Sequence, residues 1–367
     1  MANPQYNSNV QHLVCAVMAG GSGTRFWPLS RASRPKQLLK LLDDTTLLRA
    51  THERITPVCP AERQLVITNR RLVDDVSKVI PELPAGHIIG EPTARNTAPC
   101  MALAAIAAEQ IDPDAILVLL PADHHVAEPD AFRATLAVAA EQAAAGHIVT
   151  LGIRPSHPET GYGYIELADR VDATEAYEVA RFVEKPDRET AAAFLVGGMH
   201  LWNCGVFVLR ADIALAAIEE HLPAVASALS GLRRGDMGRF SSNTFLAELD
   251  TRFAQCPSIS IDHGVMEHAQ GLRCIPLSAG WSDVGSWRSL LDQRAQGQEC
   301  FVRGDVITLD CERTVAIGEG VTVAVVGTTN LAVIATKDAV LAIDLDHSQD
   351  VRTVVKTLAE NDRNNLL

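Results

Sequence analysis

The chain has 367 residues, of which 47% are hydrophobic, and a formal net charge of −13 at pH 7. This length predicts a large domain followed by a smaller one, because single hydrophobic cores stop growing at about 250–300 residues. The acidic charge excludes a generally basic surface and so argues against a nucleic-acid partner. It leaves open a local cluster of Arg and Lys that binds an anionic substrate.

Two further features bear on location. The N-terminal stretch has no basic segment followed by an apolar one, so no signal peptide is predicted, and no apolar run is long enough to span a membrane. The eight cysteines are scattered without a Cys-x-x-Cys pair, which indicates reduced core thiols and argues against a disulfide framework or a zinc site. The sequence therefore predicts a cytoplasmic protein with no membrane partner.

Short apolar runs alternate with helical patterns in the first part of the chain. This pattern predicts a mostly parallel sheet with helices on both faces, a Rossmann-like α/β fold that binds its ligands at the carboxyl ends of the strands. The predicted strands are 14–18, 65–68, 87–90, 116–120 and 148–152, and the predicted helices are 47–55, 97–110 and 130–145.

In the second part of the chain, the pattern of predicted strands and helices changes twice. Closely spaced strands are predicted at 162–167, 177–184 and 202–209, with helices at 188–196, 211–220, 244–254, 261–269 and 286–294. From residue 302 to residue 343, short Val/Ile/Thr runs broken by glycine predict a small, β-rich (β-helix-like) solenoid, with a compact β-meander as the alternative. A helix at 348–360 follows. We therefore predict a large α/β domain over 1–298 and a β-solenoid-like domain over 299–367.

Three glycines within four positions follow the first predicted strand, in Ala19-Gly20-Gly21-Ser22-Gly23-Thr24-Arg25. Glycine lacks a Cβ, so such a turn can press backbone N–H groups against an anion, and Arg25 and Lys36 add positive charge beside it. The spacing is not that of a P-loop, and the third glycine of the dinucleotide fingerprint is missing. For the glycines alone, a plain turn is the alternative.

The string from Ala19 to Ser30, followed by Pro35-Lys36-Gln37, resembles the signature of the sugar-1-phosphate nucleotidyltransferases, most closely the mannose-1-phosphate guanylyltransferases. Phe26 departs from it, since the family more often has leucine there, and we expect this to alter packing rather than chemistry. The resemblance runs from about Leu13 to the C-terminus, with the family's motifs in order. It implies transfer of GMP from GTP to mannose 1-phosphate, with Mg²⁺ as cofactor.

A second segment on the same predicted sheet edge is Glu91-Pro92-Thr93-Ala94-Arg95-Asn96-Thr97. A purine base needs fixed donors and acceptors, which these side chains can supply; a helix-capping turn, with Thr97 as the cap, is the alternative. A matching segment lines the nucleotide pocket in the family and argues for guanosine. The nucleotide-binding residues that the resemblance implies are Ala19, Gly20, Gly21, Ser22, Gly23, Thr24, Arg25, Glu91, Arg95, Asn96, Thr97, Pro121 and Asp123.

Asp123 follows the most apolar predicted strand, in Pro121-Ala122-Asp123. A buried carboxylate is costly unless it is paired, and Mg²⁺ is a suitable hard partner; a helix cap or a turn is the alternative. The resemblance makes Asp123 one metal ligand and Asp283, in Trp281-Ser282-Asp283-Val284-Gly285, the second. For Asp283 the alternative is the N-cap of the following helix.

Three short motifs are predicted to hold the sugar. The first motif contains glycines, which bring the backbone close to a ligand. The second is a Glu-Lys pair, in which Glu can accept from a sugar hydroxyl and Lys can bind the phosphate. The third contains an amide side chain, which can bind vicinal hydroxyls. A kinked hairpin, a surface ion pair and a strand-edge turn are the alternatives. The mannose-phosphate residues that the resemblance implies are Gly161, Tyr162, Gly163, Glu184, Lys185, Asn203, Gly205 and Asp262.

The resemblance also implies which residues carry the reaction and what the protein associates with. Its expected partners are GTP, mannose 1-phosphate and a second copy of the chain, and no isomerase domain is expected after Leu367. Three alternatives remain: a nucleotidyltransferase for another hexose or base, a non-catalytic relative, and a Rossmann-type dehydrogenase, which lacks its fingerprint here. The expected catalytic residues are Arg25, Lys36, Asp123, Lys185 and Asp283.

Overall fold

The structure is a computed structural model that describes residues 8–21, 23–171, 175–233, 240–294 and 300–367. Its strands are β1 Leu13–Ala19, β2 Gln64–Asn69, β3 Ile88–Glu91, β4 Ile116–Pro121, β5 His125–Val126, β6 Val149–Ile153, β7 Tyr164–Arg170, β8 Tyr177–Val183, β9 His200–Arg210, β10 Arg273–Pro276, β11 Trp281–Ser282, β12 Cys300–Leu309, β13 Thr314–Val326, β14 Leu331–Ala335 and β15 Val340–Asp344. Its α-helices are α1 Leu47–Ile55, α2 Val73–Val79, α3 Thr97–Ile111, α4 Pro129–Ala144, α5 Arg188–Gly197, α6 Ala211–His221, α7 Pro223–Leu229, α8 Asn243–Phe253, α9 Trp287–Arg294 and α10 Val351–Glu360.

The chain divides into two compact units that do not follow the sequence order. The first consists of Met1–Gly20, Thr51–Ala122 and Val126–Trp281, and the second of Gly21–Ala50, Asp123–His125 and Ser282–Leu367. Most of the glycine signature therefore belongs to the same unit as the C-terminal strands. The boundary predicted between residues 298 and 299 lies outside the described residues, as does Ser22.

The first unit is built on a mixed sheet in the order β3-β2-β1-β4-β9-β6-β10-β8-β7. The first four strands are parallel neighbours, as the strand–helix alternation predicts. β9 then pairs antiparallel with both β4 and β6, while β10 runs parallel to β6 and antiparallel to β8. The parallel part carries the predicted nucleotide motif at Glu91, and the mixed part carries the predicted sugar motifs.

Helix α3 lies in the hydrophobic core of this unit. Its residues from Ala98 to Ala108 are all buried, which is the pattern of a helix that is covered on every side. Its N-terminus is capped by Asn96, whose side-chain oxygen accepts a hydrogen bond from the Thr97 N–H at 2.9 Å. The expected cap, Thr97, is the first helical residue instead.

The second unit contains a sheet in the order β12-β13-β14-β15. β12, β13 and β14 are parallel although no helix connects them, which is the arrangement of solenoid coils; a meander would have antiparallel neighbours. The predicted solenoid is therefore confirmed. Its core also holds Phe26 from the glycine signature, which is 1% exposed and meets the Trp287 ring edge-on with centroids 4.8 Å apart.

The predicted helix over 261–269 is a single π-helical turn, Asp262–Met266. Gly264 explains the tight packing of this turn, because a Cβ there would lie 2.8 Å from Leu222 Cδ1. Helices α2 and α7 and strand β10 were not predicted. Within the described ranges, no helix has the length and apolar character that crossing a membrane requires.

Candidate active site

In the second unit, the glycine turn lies against Lys36. Gly23 adopts φ +60°, the left-handed region that favours glycine, and a Cβ there would lie 2.8 Å from the Lys36 backbone nitrogen. Thr24–Phe26 then form a 3-10 turn, which places Arg25 directly after the glycines. The glycine is thus needed both for its backbone conformation and for the close approach of Lys36.

Lys36 connects two predicted site residues. Its side chain is 6% exposed, and its Nζ donates to Asp123 Oδ2 at 2.9 Å and to the Asp283 carbonyl oxygen at 2.5 Å. Burial disfavours ionisation of Asp123, but the charge of Lys36, the nearby His124 and the Lys36 hydrogen bond outweigh it and hold the pKa of that carboxyl below its usual range. Asp123 is therefore a carboxylate at neutral pH.

The turn that carries Asp283 has an unusual backbone. Val284 adopts φ +43°, which is costly for a β-branched residue, and the Ser282 hydroxyl accepts a hydrogen bond from its N–H at 3.0 Å. A Cβ on Gly285 would collide with the Asp283 carboxylate and lie 3.0 Å from Arg25 Nη1. The Asp283 carboxylate and Arg25 therefore both lie against Gly285.

The predicted cation site has two carboxylates, those of Asp123 and Asp283. Asp123 binds Lys36 through Oδ2, and its Oδ1 lies 3.9 Å from His124 Nε2. The half-buried Asp283 carboxylate forms no ion pair with any residue that the structure describes. Carboxylate oxygens completed by water and phosphate oxygens are the usual environment of Mg²⁺ in proteins. Over the same residues, no group of three or more His, Cys, Asp or Glu side chains is arranged for a metal.

In the first unit, Glu91 at the end of β3 is a buried carboxyl group. It is 6% exposed, its Oε1 has no hydrogen-bond partner among the described residues, and burial raises its pKa to about 8. A Cβ on Gly20 would lie 3.6 Å from Glu91 Oε2. Glu91 is therefore a protonated group, able to donate or accept, beside the first glycine of the signature.

The other residues of this motif are bonded within the first unit. Arg95 Nη2 donates to the Ala254 carbonyl at 2.8 Å, and Thr97 Oγ1 accepts from the Ile261 N–H at 2.8 Å. Asn96, at φ +64°, caps α3. The structure thus gives Arg95, Asn96 and Thr97 positioning contacts and leaves Glu91 Oε1 without a partner among the residues that it describes.

Asn203 on β9 organises the sugar motifs. Its Nδ2 donates to Asp262 Oδ1 at 2.9 Å, its Oδ1 accepts from the Gly205 N–H at 2.9 Å, and its own N–H donates to the Gly163 carbonyl at 2.8 Å. Burial, with the nearby charge of Glu184, raises the pKa of Asp262 to about 6. Residues from two predicted motifs and Asp262 therefore form one cluster.

Glu184 and Lys185 lie beside this cluster. The Glu184 side chain is 8% exposed and accepts a hydrogen bond from Lys185 Nζ, while the Lys185 side chain is 61% exposed. Lys185 adopts φ +47°, and its N–H donates to the Tyr162 carbonyl at 3.2 Å. A Cβ on Gly163 would lie 2.6 Å from Glu184 Oε2, so a larger residue there would displace that carboxylate.

Aromatic rings surround Tyr162. Its ring meets Trp202 and Trp281 edge-on, with centroids 5.2 Å and 5.7 Å apart. Gly161 donates its N–H to Glu159 Oε1 at 2.8 Å. Glu267 was not predicted, although its Oε1 accepts from the Glu184 N–H at 3.3 Å; it lies outside any motif, so no local signal could have identified it.

A glycine turn with a buried lysine–carboxylate pair, and a mixed sheet whose strand ends carry polar clusters, define a nucleotidyltransferase. The chain belongs to the Nucleotidyl transferase family, which matches residues 15–299. Residues 304–358 match the MannoseP isomerase/GMP-like beta-helix domain. Both matches agree with the fold and with the resemblance of the glycine signature.

Similar proteins extend the match to nearly the whole chain. The xanthan biosynthesis protein XanB of Xanthomonas campestris is 42% identical over 350 residues, 93% of this chain and 72% of the relative. Mannose-1-phosphate guanylyltransferase ManC of Salmonella typhimurium is 43% identical over 360 residues, 95% and 73% of the two chains. A Thermus thermophilus structure described as a mannose-1-phosphate geranyltransferase has a TM-score of 0.83 and 35% identity, covering 95% of this chain and 99% of that one.

Proposed function

We propose that the protein transfers GMP from GTP to α-D-mannose 1-phosphate and releases GDP-mannose and pyrophosphate. The similarity to proteins named mannose-1-phosphate guanylyltransferase over 95% of the chain carries this proposal. The buried Lys36–Asp123 pair beside Gly23 supports a triphosphate site, and the Asn203–Asp262 hydrogen bond supports a sugar site.

The proposed chemistry needs neither a general base nor a covalent intermediate. The sugar phosphate is a dianion above its second pKa of about 6, so its own oxygen can attack the α-phosphorus of GTP. A bond forms between that oxygen and the α-phosphorus, the bond to the β-phosphate oxygen breaks, and its electron pair leaves with pyrophosphate. The protein supplies alignment and charge neutralisation, which are the demands of phosphoryl-type transfer.

Each charged side chain has a proposed role in this step. Arg25 and Lys36 hold the triphosphate, with the backbone N–H groups of the glycine turn, and Lys185 orients the phosphate of the sugar. Asp123 and Asp283 hold Mg²⁺, which neutralises phosphate charge when it is bound. The ion pair of Asp123 with Lys36 keeps this carboxyl ionised and so ready for a cation.

The base and the sugar are proposed to be recognised in the first unit. Glu91 is protonated at neutral pH and can donate to an acceptor on guanine. Asn203 and Asp262 hold each other at 2.9 Å, so an amide and a carboxylate are presented in fixed orientation to sugar hydroxyls. Glu184, held by Lys185, provides a further acceptor.

We also propose that the protein works in the cytoplasm as a homodimer. The half-exposed apolar side chains Val302, Ile307 and Leu309, 50%, 51% and 56% exposed on β12, support a contact with a second copy. Light scattering coupled to size-exclusion chromatography tests the dimer, and a monomer at all concentrations would contradict it.

Pyrophosphate release over a panel of substrates tests the proposed reaction. GTP, ATP, UTP and dTTP are each combined with mannose 1-phosphate and with glucose 1-phosphate, with Mg²⁺ and with EDTA. We expect release with GTP and mannose 1-phosphate in Mg²⁺ and its loss in EDTA. A preference for another base or sugar identifies a different nucleotidyltransferase, and release with none of the pairs contradicts the proposal.

A further inference from the structure

The C-terminal helix of the second unit packs on the turn that carries Arg25. A 3-10 turn, Leu345–Asp350, leads directly into α10, and α10 contacts the Thr24–Phe26 turn. Arg25 Nη1 donates to Gln349 Oε1, at the junction of these two segments, at 3.4 Å. The first turn of α10 is thereby held beside the glycine signature.

Arg352, in this first turn of α10, lies close enough to Arg25 for their charges to interact. Burial lowers the pKa of Arg352, and the positive charge of Arg25 lowers it further. Two like charges held together by the fold repel each other, and an anion between them removes that repulsion. Arg352 is exposed, so an anion from solvent can reach it beside Arg25.

The unit's other arginines near this segment have acidic partners. Arg31 pairs with Asp338 at 2.9 Å, and Arg34 pairs with Glu319 at 2.6 Å. Within the part of the chain that the structure describes, neither Arg25 nor Arg352 forms an ion pair with a carboxylate. Lys36, in contrast, is already bonded to Asp123 and to the Asp283 carbonyl. Arg25 and Arg352 therefore form no ion pair with a described carboxylate, although the Asp283 carboxylate also lies against Gly285 beside Arg25.

We propose that Arg352 is a further polyphosphate-binding residue, which with Arg25 holds the β- and γ-phosphates of GTP. This inference rests on the proposed function and adds a residue from the C-terminal helix to it. When the bond between the α-phosphorus and the β-phosphate oxygen breaks, negative charge develops on the departing pyrophosphate. Two guanidinium groups match that charge and its oxygen geometry, because each can donate two parallel hydrogen bonds. The solenoid unit thus contributes directly to substrate binding.

Arg352→Gln in the full chain tests the proposal. We expect the KM for GTP and the inhibition constant of inorganic pyrophosphate each to rise about tenfold, while the KM for mannose 1-phosphate stays within about twofold. Arg352→Lys should recover part of the lost affinity for GTP and pyrophosphate, since lysine restores the positive charge but not the paired donors of the planar guanidinium. The matched control is Lys356→Gln, one turn further along α10, where Lys356 lies 3.7 Å from Glu360 and is 76% exposed.

A second measurement separates this inference from the proposed function. Calorimetric titration with inorganic pyrophosphate reports binding without turnover, and weaker binding by Arg352→Gln than by wild type supports the inference whichever sugar is the substrate. Equal pyrophosphate binding and an unchanged KM for GTP would overturn it while leaving the proposed function intact. A lower melting temperature of Arg352→Gln, together with a rise in the KM for GTP and in the KM for mannose 1-phosphate, would also overturn the inference. Such a result would indicate that Arg352 has only a structural role.

Discussion

Lys36 Nζ lies 2.9 Å from Asp123 Oδ2 and 2.5 Å from the Asp283 carbonyl oxygen. One buried ammonium group therefore joins the glycine signature to both predicted metal ligands. The two aspartates are 160 positions apart in the sequence, so their meeting at Lys36 is a property of the fold. It makes the lysine a positioning group for Asp123, in addition to its proposed role as a partner for phosphate.

Lys36→Met should lower kcat/KM for GTP by about 100-fold, because it removes a fixed positive charge and leaves Asp123 without its partner. Steady-state kinetics with varied GTP measure this effect. Arg34→Gln is the control, since Arg34 forms an exposed ion pair with Glu319 and should change kcat/KM little. A Lys36→Met protein within about threefold of wild type would remove Lys36 from the phosphate site.

Asp283→Asn should reduce turnover by about 100-fold and raise the Mg²⁺ concentration needed for half-maximal rate, with the melting temperature unchanged. The amide keeps the size of the carboxylate but loses the charge that a hard cation requires. The exposed Asp292 on α9 provides the control variant Asp292→Asn. Full turnover of Asp283→Asn at saturating Mg²⁺ would show that this carboxylate is not a metal ligand.

Gly23→Ala should destabilise the protein by about 1–3 kcal/mol, because alanine is strained at φ +60° and its Cβ would press on Lys36. Gly21→Ala should leave the free energy of unfolding within about 0.5 kcal/mol of wild type, since nothing lies within 4 Å of a Cβ there. Urea unfolding of the two variants compares them directly. Equal free energies of unfolding for Gly23→Ala and Gly21→Ala would contradict this prediction, because they would mean that the turn at Gly23 accommodates alanine without strain.

Glu91→Gln should flatten the pH dependence of stability. The folded pKa of about 8 lies above the ordinary value of about 4.3 for an unfolded chain, so between these pH values only the unfolded state releases the proton. Wild-type stability should therefore decrease with rising pH across this window, by at most about 1.4 kcal/mol per pH unit from this group, and no further above pH 8. Urea unfolding at pH 5.5, 7 and 8.5 measures the slope, with the exposed Glu62→Gln as control. Identical slopes for Glu91→Gln and wild type would contradict the assignment.

The features most readily predicted from the sequence are those that depend on residues close together in the chain. Gly23 and Lys36 were singled out because a glycine cluster followed by cations suits an anion, and Asp123 because a carboxylate after a buried strand needs a partner. The predicted partner of Asp123 was Mg²⁺, whereas the structure pairs it with Lys36, and the roles of these residues in binding stay predictions. The strand and helix alternation also predicted the parallel neighbours β1, β2, β3 and β4. These features depend on spacing within one or two elements.

Features that depend on distant contacts were not predictable from the pattern. Strand β10 enters the sheet between β6 and β8, which no local periodicity encodes. Glu267 and Arg352 lie outside every motif. They were noticed only because Glu267 bonds to Glu184 and Arg352 lies near Arg25, and both partners are far away in the sequence. The grouping of residues 21–50 with the C-terminal strands has the same origin, since it results from burial of Phe26 beside Trp287.

The most direct test of the account is product identification by mass spectrometry after incubation of the purified protein with GTP, mannose 1-phosphate and Mg²⁺. We expect wild type to form GDP-mannose and pyrophosphate in equal amounts, and Lys36→Met and Asp283→Asn to form them about 100-fold more slowly. The absence of GDP-mannose with wild type, or its undiminished formation by both variants, would contradict it.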